Sequence, residues 1–486
     1  MAFDATENPN HERRWAILGI LGVAQLMVVL DATIVNIALP SAERDLGFSN
    51  DNRQWVITAY ALAFGSLLLL GGRIGDLFGR KRTFIVGLIG FSLASAVGGA
   101  AQSFGVLVGA RALQGVFGAL LAPSALGLLT TTFTDPGERA KAFGIFGAIA
   151  GGGGGIGLLL GGVLTEYLSW RWCLYVNLFF ALPAAFAASA VLRRRPRSGR
   201  AHFDIPGTVA ASTGLFALVY GFAHAEQTSW GDPVTVAFLG ASALLLTSFV
   251  VLQARVAHPL LPLRIVTDRS RGGAYLAMGI SAIGIFGVFL FLTFFLQQNL
   301  RYSPIKTGLA FLPMNLAIIA TATTAQTRIV PRIGPRPLVV TGMLLAATAM
   351  FVFARLEVSS TYAADVLPGL LCVGVGLGCI FAPAISTATS GVDPSDAGVA
   401  SAMVNTSQQV GGSIGTALLS TIFASAVTDY AVGRPPGPAT LAAASVSGYT
   451  TAFWWAFGIF LLGAVVCGSV LRSGVPQAQP GAALAH

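Results

Sequence analysis

The sequence predicts an all-α polytopic membrane protein of fourteen transmembrane helices, and three observations carry that prediction. Hydrophobic residues fill 54% of the 486 positions and charged residues only 10%, against about a quarter charged in ordinary soluble domains, so most of the surface must meet lipid. Apolar runs of about 20 residues, the length that crosses roughly 30 Å of hydrocarbon, recur along the whole chain. The basic residues gather in the short gaps between those runs, where lysine and arginine mark cytoplasmic loops.

The runs lie near 15–38, 54–72, 83–101, 104–130, 140–164, 171–192, 205–224 and 234–256, then 272–296, 305–327, 337–355, 364–388, 399–425 and 450–471. An even number of spans puts both termini on one face. With the N-terminus inside, the inner segments hold 21 of the 29 Lys and Arg residues and the outer segments 7. That bias orients a multi-pass protein in the cell membrane with both termini cytoplasmic. The remaining basic residue, Arg111, lies within a span. The first run is too long for a signal-peptide core and has no polar, cleavable end, so it is expected to stay as an anchor. The 59 glycines sit mostly inside apolar runs, where small residues let helices approach closely. The net charge of +9 is therefore a topology signal rather than a nucleic-acid surface. The four cysteines, Cys173, Cys372, Cys379 and Cys467, have no CxxC spacing and read as small buried residues.

The chain repeats itself, as expected where a fold is built from related halves. RIGDLFGRK at 73–81 recurs as RIVPRIGPR at 328–336, with a glycine six residues after the first arginine in both. Gly109, Gly118 and Ala122-Pro123 of span four return at one constant offset as Gly369, Gly378 and Ala382-Pro383 of span twelve, and Asp135-Pro136 has a near counterpart in Asp393-Pro394. The expected organisation is a six-helix bundle over 1–192, an Arg-rich linker with inserted helices seven and eight over 193–270, a second six-helix bundle over 271–472, and a short cytoplasmic tail over 473–486.

Three strings carry a family resemblance. GRIGDLFGRK at 72–81 resembles the signature loop of the major facilitator superfamily. LDATIVNIALP at 30–40 is similar to the first-span motif of its fourteen-span drug:proton antiporters, the EmrB-like and QacA-like exporters. GARALQG at 109–115 resembles the superfamily's fourth-span arginine motif. Weaker family-like strings are SWRW at 169–172, FDIPG at 203–207, YSPIKTG at 302–308 and VASAMVNTSQQVGGSIG at 399–415. The resemblance implies the major facilitator fold and export of drug-like or antibiotic molecules. It also implies an inner gate held by Gly72, Asp76, Gly79 and Arg80, the acid and the arginine locking neighbouring helix ends by charge. An antiporter-like glycine motif falls on Gly157, Gly161 and Gly162, but Leu158 stands where the motif has proline, which leaves the direction of transport less determined than the fold.

Two motif matches are discarded. Gly152, Gly154 and Gly157 fit GxGxxG, and Gly411, Ser413 and Gly415 fit GxSxG, but neither set follows a strand. No GxxxxGK[ST] loop occurs, so ATP is excluded and a proton gradient is the expected energy source, with no cofactor and no metal. With no histidine inside a span, Asp31 is the one acid well inside a predicted span, and an acid there is a functional candidate by default. Helix rise places Asp31 and Arg111 at similar depth. They are expected to face each other across the cavity of the first half as a proton switch, the arginine favouring the ionised acid and burial the neutral one. Gln114, one turn from Arg111, is a further polar contact or a plain interhelical bond. The position matching Arg111 in span twelve is Leu371, which confines the proton chemistry to the first half.

For the solute, Phe286 and Phe289 followed by Gln297 and Gln298 suggest an apolar cavity with few charges. Such a cavity suits neutral, monovalent or weakly anionic amphipathic compounds. The leading function is a proton-driven exporter acting as a monomer in the bilayer, with no nucleic acid partner. The alternatives are a proton-coupled importer or facilitator of a small metabolite, or a membrane scaffold or sensor. No nucleophile, base or metal cluster outside the spans points to an enzyme.

Overall fold

A computed structural model describes residues 12–48, 50–193, 204–393 and 395–474. The tail from 475 and most of the Arg-rich linker, 194–203, lie outside the described residues. Among the described residues fourteen helices are long and apolar enough to cross a membrane. Lipid offers the backbone no hydrogen-bond partner, so each crossing segment satisfies its own amides as helix.

The first six spans are α1 (Arg14–Leu46), α2 (Asn50–Phe78), α3 (Arg80–Gly99), α4 (Phe104–Thr132), α5 (Pro136–Tyr167) and α6 (Trp172–Val191). The inserted pair is α7 (Ile205–Gln227) and α8 (Pro233–Arg255), followed by the short α9 (Leu263–Thr267). The last six spans are α10 (Arg269–Phe294) with a wide turn at Phe295–Asn299; α11 (Pro304–Ala310), α12 (Leu312–Thr324) and α13 (Val330–Ile333) in series; α14 (Pro335–Phe353); α15 (Leu367–Ala388); α16 (Ala397–Ala431); and α17 (Pro438–Val470).

Several helix starts follow from local chemistry. Asp135, Asp204 and Asp232 each stand one or two residues before a proline, and each accepts from a backbone N–H of the first turn: Glu138, Gly207 and Val234, at 2.8, 2.8 and 2.9 Å. Proline loses nothing at that position, where its missing N–H would be unpaired anyway. The repeated loops at 73–81 and 328–336 turn in the same way. Gly79 and Gly334, the matched glycines, have φ of 97° and 80°, a conformation costly for any residue with a Cβ.

Small residues set the helix crossings within each half. A Cβ on Gly115 of α4 would lie 2.5 Å from the Tyr60 carbonyl of α2, and one on Gly374 of α15 would lie 2.6 Å from the Met314 carbonyl of α12. The inserted pair lies against both halves. Tyr220 of α7 sits 6.1 Å from the Trp55 ring of α2, and Trp230, in the turn after α7, donates to Thr421 Oγ1 of α16 at 3.1 Å.

Candidate functional site

The buried ion pair is built on α1, α3, α4 and α6. Asp31 and Arg111 are 0% and 1% exposed, and Arg111 Nη1 donates to Asp31 Oδ2 at 2.6 Å. The other carboxylate oxygen, Oδ1, accepts from Gln114 Nε2 at 2.9 Å and from Asn177 Nδ2 at 2.7 Å. Arg111 also donates to the Val56 carbonyl at 3.2 Å and to Gln114 Oε1 at 2.9 Å, while its guanidinium lies 4.5 Å from the centre of the Tyr60 ring. Ser95 Oγ accepts from Gln114 and Asn177 at 3.1 and 2.9 Å and donates to the Leu174 carbonyl at 2.8 Å. A buried ion pair is tolerable only when its remaining donors and acceptors are met in this way.

Asp31, Arg111 and Gln114 therefore meet, but not across an open cavity as expected. The pair is sealed inside the first bundle. The two do lie at one depth, but α1 runs to Leu46, eight residues past the expected end at 38, which leaves Asp31 near mid-helix with 17 residues before it and 15 after. Asn177 and Ser95 were not anticipated. A single asparagine or serine in an apolar span looks like ordinary interhelical glue, and only the fold reveals that they bond to each other and to the groups around Asp31.

The glycines of α5 press against this site. A Cβ on Gly157 would fall 2.0 Å from Thr33 Oγ1 and 3.1 Å from the Leu30 carbonyl, and one on Gly161 would fall 3.1 Å from the Ile34 carbonyl, all on α1 around Asp31. Gly162 instead faces Ile305 of α11, in the second half. With Leu158 in place of proline, α5 is one uninterrupted helix over Pro136–Tyr167.

At the end that carries the α2–α3 turn the two halves touch. Asp76 accepts from the backbone N–H groups of Gly398 and Val399 at 3.1 and 3.3 Å, which puts a carboxylate on the N-terminus of α16, the favoured place for an anion. Arg80 holds the same carboxylate at 2.6 Å. Gly72 allows the approach: its Cβ would lie 2.6 Å from the Gly398 carbonyl. Asp396, which precedes α16, pairs with Arg264 of α9.

Midway along the seam, Gln25 of α1, Phe146 and Ala150 of α5, Ile385 of α15 and Asn405 and Gln408 of α16 surround a space of about 10 Å³, room for one water at most. Gln25 and Gln408 are half-buried and make no hydrogen bond to any described residue. The expected cavity residues fare differently. Phe289 is at the seam, where a Cβ on Gly154 would touch its ring at 3.4 Å. Gln298 is exposed in the wide turn after α10 and accepts from Tyr449 Oη at 3.2 Å; Gln297 beside it is half-buried. Neither lines the central space, because the wide turn at Phe295–Asn299 carries both past the end of the helix. The Phe286 side chain lies outside the described residues.

A family model described as the Major Facilitator Superfamily matches residues 21–416. The chain belongs to the major facilitator superfamily. This superfamily member is 51% identical over 472 residues to the puromycin resistance protein of Streptomyces alboniger, covering 96% of this chain and 93% of that one. It is 38% identical to the cephamycin export protein of Amycolatopsis lactamdurans, covering 94% and 92%, and 36% identical to the tetracenomycin C resistance and export protein of Streptomyces glaucescens, covering 86% and 77%. The crystal structure of the human organic anion transporter MFSD10 superposes with a TM-score of 0.64 at 17% identity, covering 94% of this superfamily chain and 99% of that one, a likeness of fold alone. The protein is thus a multi-pass membrane member of a transporter family.

Proposed function

We propose that the protein is a proton-driven exporter of amphipathic, antibiotic-like molecules, working in the cell membrane by alternating access, with both termini in the cytoplasm. The observation that carries this reading is the sealed Asp31–Arg111 pair, a titratable acid held near the middle of a membrane-spanning helix with a fixed countercharge. The similarity to puromycin resistance, cephamycin export and tetracenomycin C resistance and export proteins supports the direction and the substrate class. The chain acts as a transporter rather than an enzyme, needs no cofactor beyond the proton gradient, and works as a monomer.

The residues divide the work. A proton on Asp31 cancels the charge that Arg111 holds and loosens α1 from α4. Release of that proton restores the ionised acid and with it the clamp, so the two protonation states favour different orientations of the halves. Asp76 on the α16 N-terminus holds the inner end shut, and the α5 glycines give α1 and the second half a close bearing surface. The carboxamides of Gln25, Asn405 and Gln408, uncharged and bordered by Phe146, suit a neutral or weakly charged solute that brings its own hydrogen-bonding groups once the halves part.

Proteoliposomes containing wild type or Asp31→Asn, loaded with puromycin-like and other lipophilic drugs under an imposed pH gradient, test the proposal. Uphill drug movement with the opposite proton flow, lost in Asp31→Asn, is the expected result. Unchanged uphill movement in the variant would remove Asp31 from the coupling. Drug and protons moving in the same direction would favour the importer reading that Leu158 keeps in play.

A further inference from the structure

The network around Asp31 contains one group that its hydrogen bonds do not use. Asn177 of α6 is 1% exposed. Its Nδ2 donates to Asp31 Oδ1 and Ser95 Oγ, but its Oδ1 is buried with no hydrogen-bond partner among the described residues. The orientation of the amide follows from its neighbour. Turned over, the amide would set an oxygen 2.7 Å from an ionised carboxylate, with no hydrogen between them.

We infer that Asn177 reads the protonation state of Asp31: its Nδ2 donates to the carboxylate, and a half-turn of the amide lets its Oδ1 accept from the carboxylic acid. This rests on the proton-coupling role proposed for Asp31. A protonated Asp31 must find an acceptor, and its other contacts are poor ones. Arg111 offers only donors. Gln114 Oε1 already accepts from Arg111 at 2.9 Å, so turning that amide would set its NH₂ against the guanidinium. Ser95 can follow the turn, because its hydroxyl can donate to Asn177 Oδ1 in place of the Leu174 carbonyl. The turn leaves one amide group of Asn177 unpaired in either state and gives up the Ser95–Leu174 bond, so the ionised acid favours the observed orientation and only a proton on Asp31 favours the other. No bond other than O–H is made or broken, and the proton stays on the Asp31 oxygen facing Asn177.

The other charged or titratable groups facing Asp31 are Arg111 of α4 and Tyr60 of α2, whose ring lies under the guanidinium. Cys173 of α6 stands one turn before Asn177, with Sγ 3.4 Å from Thr165 Oγ1. Among the described residues α3 contributes only Ser95 to this network. The pH midpoint of transport is a blunt probe here, since removing Asn177 takes a donor from the ionised form and an acceptor from the neutral form, and the two shifts oppose each other. Positioning through the amide is instead visible in vibrational spectra.

The experiment is pH-difference infrared spectroscopy on the full-length protein in liposomes. Acidification is expected to raise a carboxylic C=O band that is missing from Asp31→Asn, together with a change in the side-chain amide band of wild type carrying labelled asparagine. In Asn177→Leu the acid band is expected to move to higher wavenumber, as for an acid without an acceptor, and Asn177→Ser, which can both donate and accept, is expected to return it. An acid band at the same wavenumber in Asn177→Leu, or no amide change in wild type, overturns the inference about Asn177 and leaves the proton site intact. No Asp31-dependent band in wild type overturns both. The labelled wild-type measurement stands even where a variant fails to insert.

Discussion

Helices α4 and α15 occupy equivalent places in the two halves and do different chemistry. Gly118 and Gly378 match at one offset, and each lies against its neighbour, 3.1 Å from Phe64 and 2.7 Å from Thr321 once a Cβ is added. At the same offset, Arg111 of α4 is buried on Asp31 while Leu371 of α15 is 43% exposed. The ends of α5 and α16 diverge in a similar way. Asp135 caps α5 from within its own chain segment. Asp396 makes no side-chain cap on α16, and the carboxylate on that end comes from Asp76 in the other half. Small residues thus preserve the scaffold in both halves, whereas charge is spent on one half and on the joint between them.

The largest effect is expected where that asymmetry is erased. Arg111→Leu, which copies the α15 residue, should cost about 3–5 kcal/mol because it strands a buried charge. Thermal unfolding in detergent would measure it, and the double variant with Asp31→Asn should recover most of the loss. A double variant as unstable as the single one would break the account of the pair. Next, Gly157→Ala should cost about 1–3 kcal/mol by overpacking α1, whereas Gly412→Ala on α16, where an added Cβ meets nothing within 4 Å, should be close to neutral. Equal effects in the same unfolding assay would remove α5 as the tighter bearing.

Asp76→Asn should weaken the joint by about 1 kcal/mol, the usual size of a charge at a helix N-terminus. Spin-label distances between the inner ends of α2 and α16 should show a roughly fivefold larger open population. An unchanged distance distribution would mean that the gate is held by packing alone. The smallest effect is expected at Asp232, in the α7–α8 turn. Backbone donation from Val234, with help from His224, holds its carboxyl below the ordinary value. A lowered folded value stabilises above the ordinary carboxylate pKa of about 4 and is lost as the pH falls through the lowered one. The melting difference between wild type and Asp232→Asn should therefore be present at neutral pH and close in acid; a difference that persists in acid would reject the cap.

Much of this was legible in the chain because a membrane restricts the vocabulary. Twenty apolar residues can do little but cross as helix, and an acid or arginine inside such a run stands out, so the fourteen spans and the Asp31–Arg111 pairing could be read directly. The span ends were less clear. The start of α17 falls at Pro438 instead of near 450 because PATLAAASVSGY is rich in small residues and only weakly apolar, and the tenth span is broken at Phe311, between Gly308 and Pro313, which takes the first turn of α12. Apart from Gln114, the uncharged polar residues were not legible. Asn177, Ser95, Gln25 and Gln408 are individually unremarkable, and their meaning comes from neighbours far off in the chain, 146 positions for Asn177 and Asp31.

The placement of α7 and α8 bears on the route a lipophilic solute takes. With Tyr220 beside Trp55 and Trp230 tied to Thr421, the inserted hairpin walls off the slot between α2 and α16 from the surrounding bilayer. Among the described residues the opposite seam, between α5 and α12, has no such shutter and is closed by the direct approach of Gly144, Gly151, Gly152 and Gly155. A molecule dissolved in a leaflet thus meets a two-sided machine with one side boarded up by the hairpin.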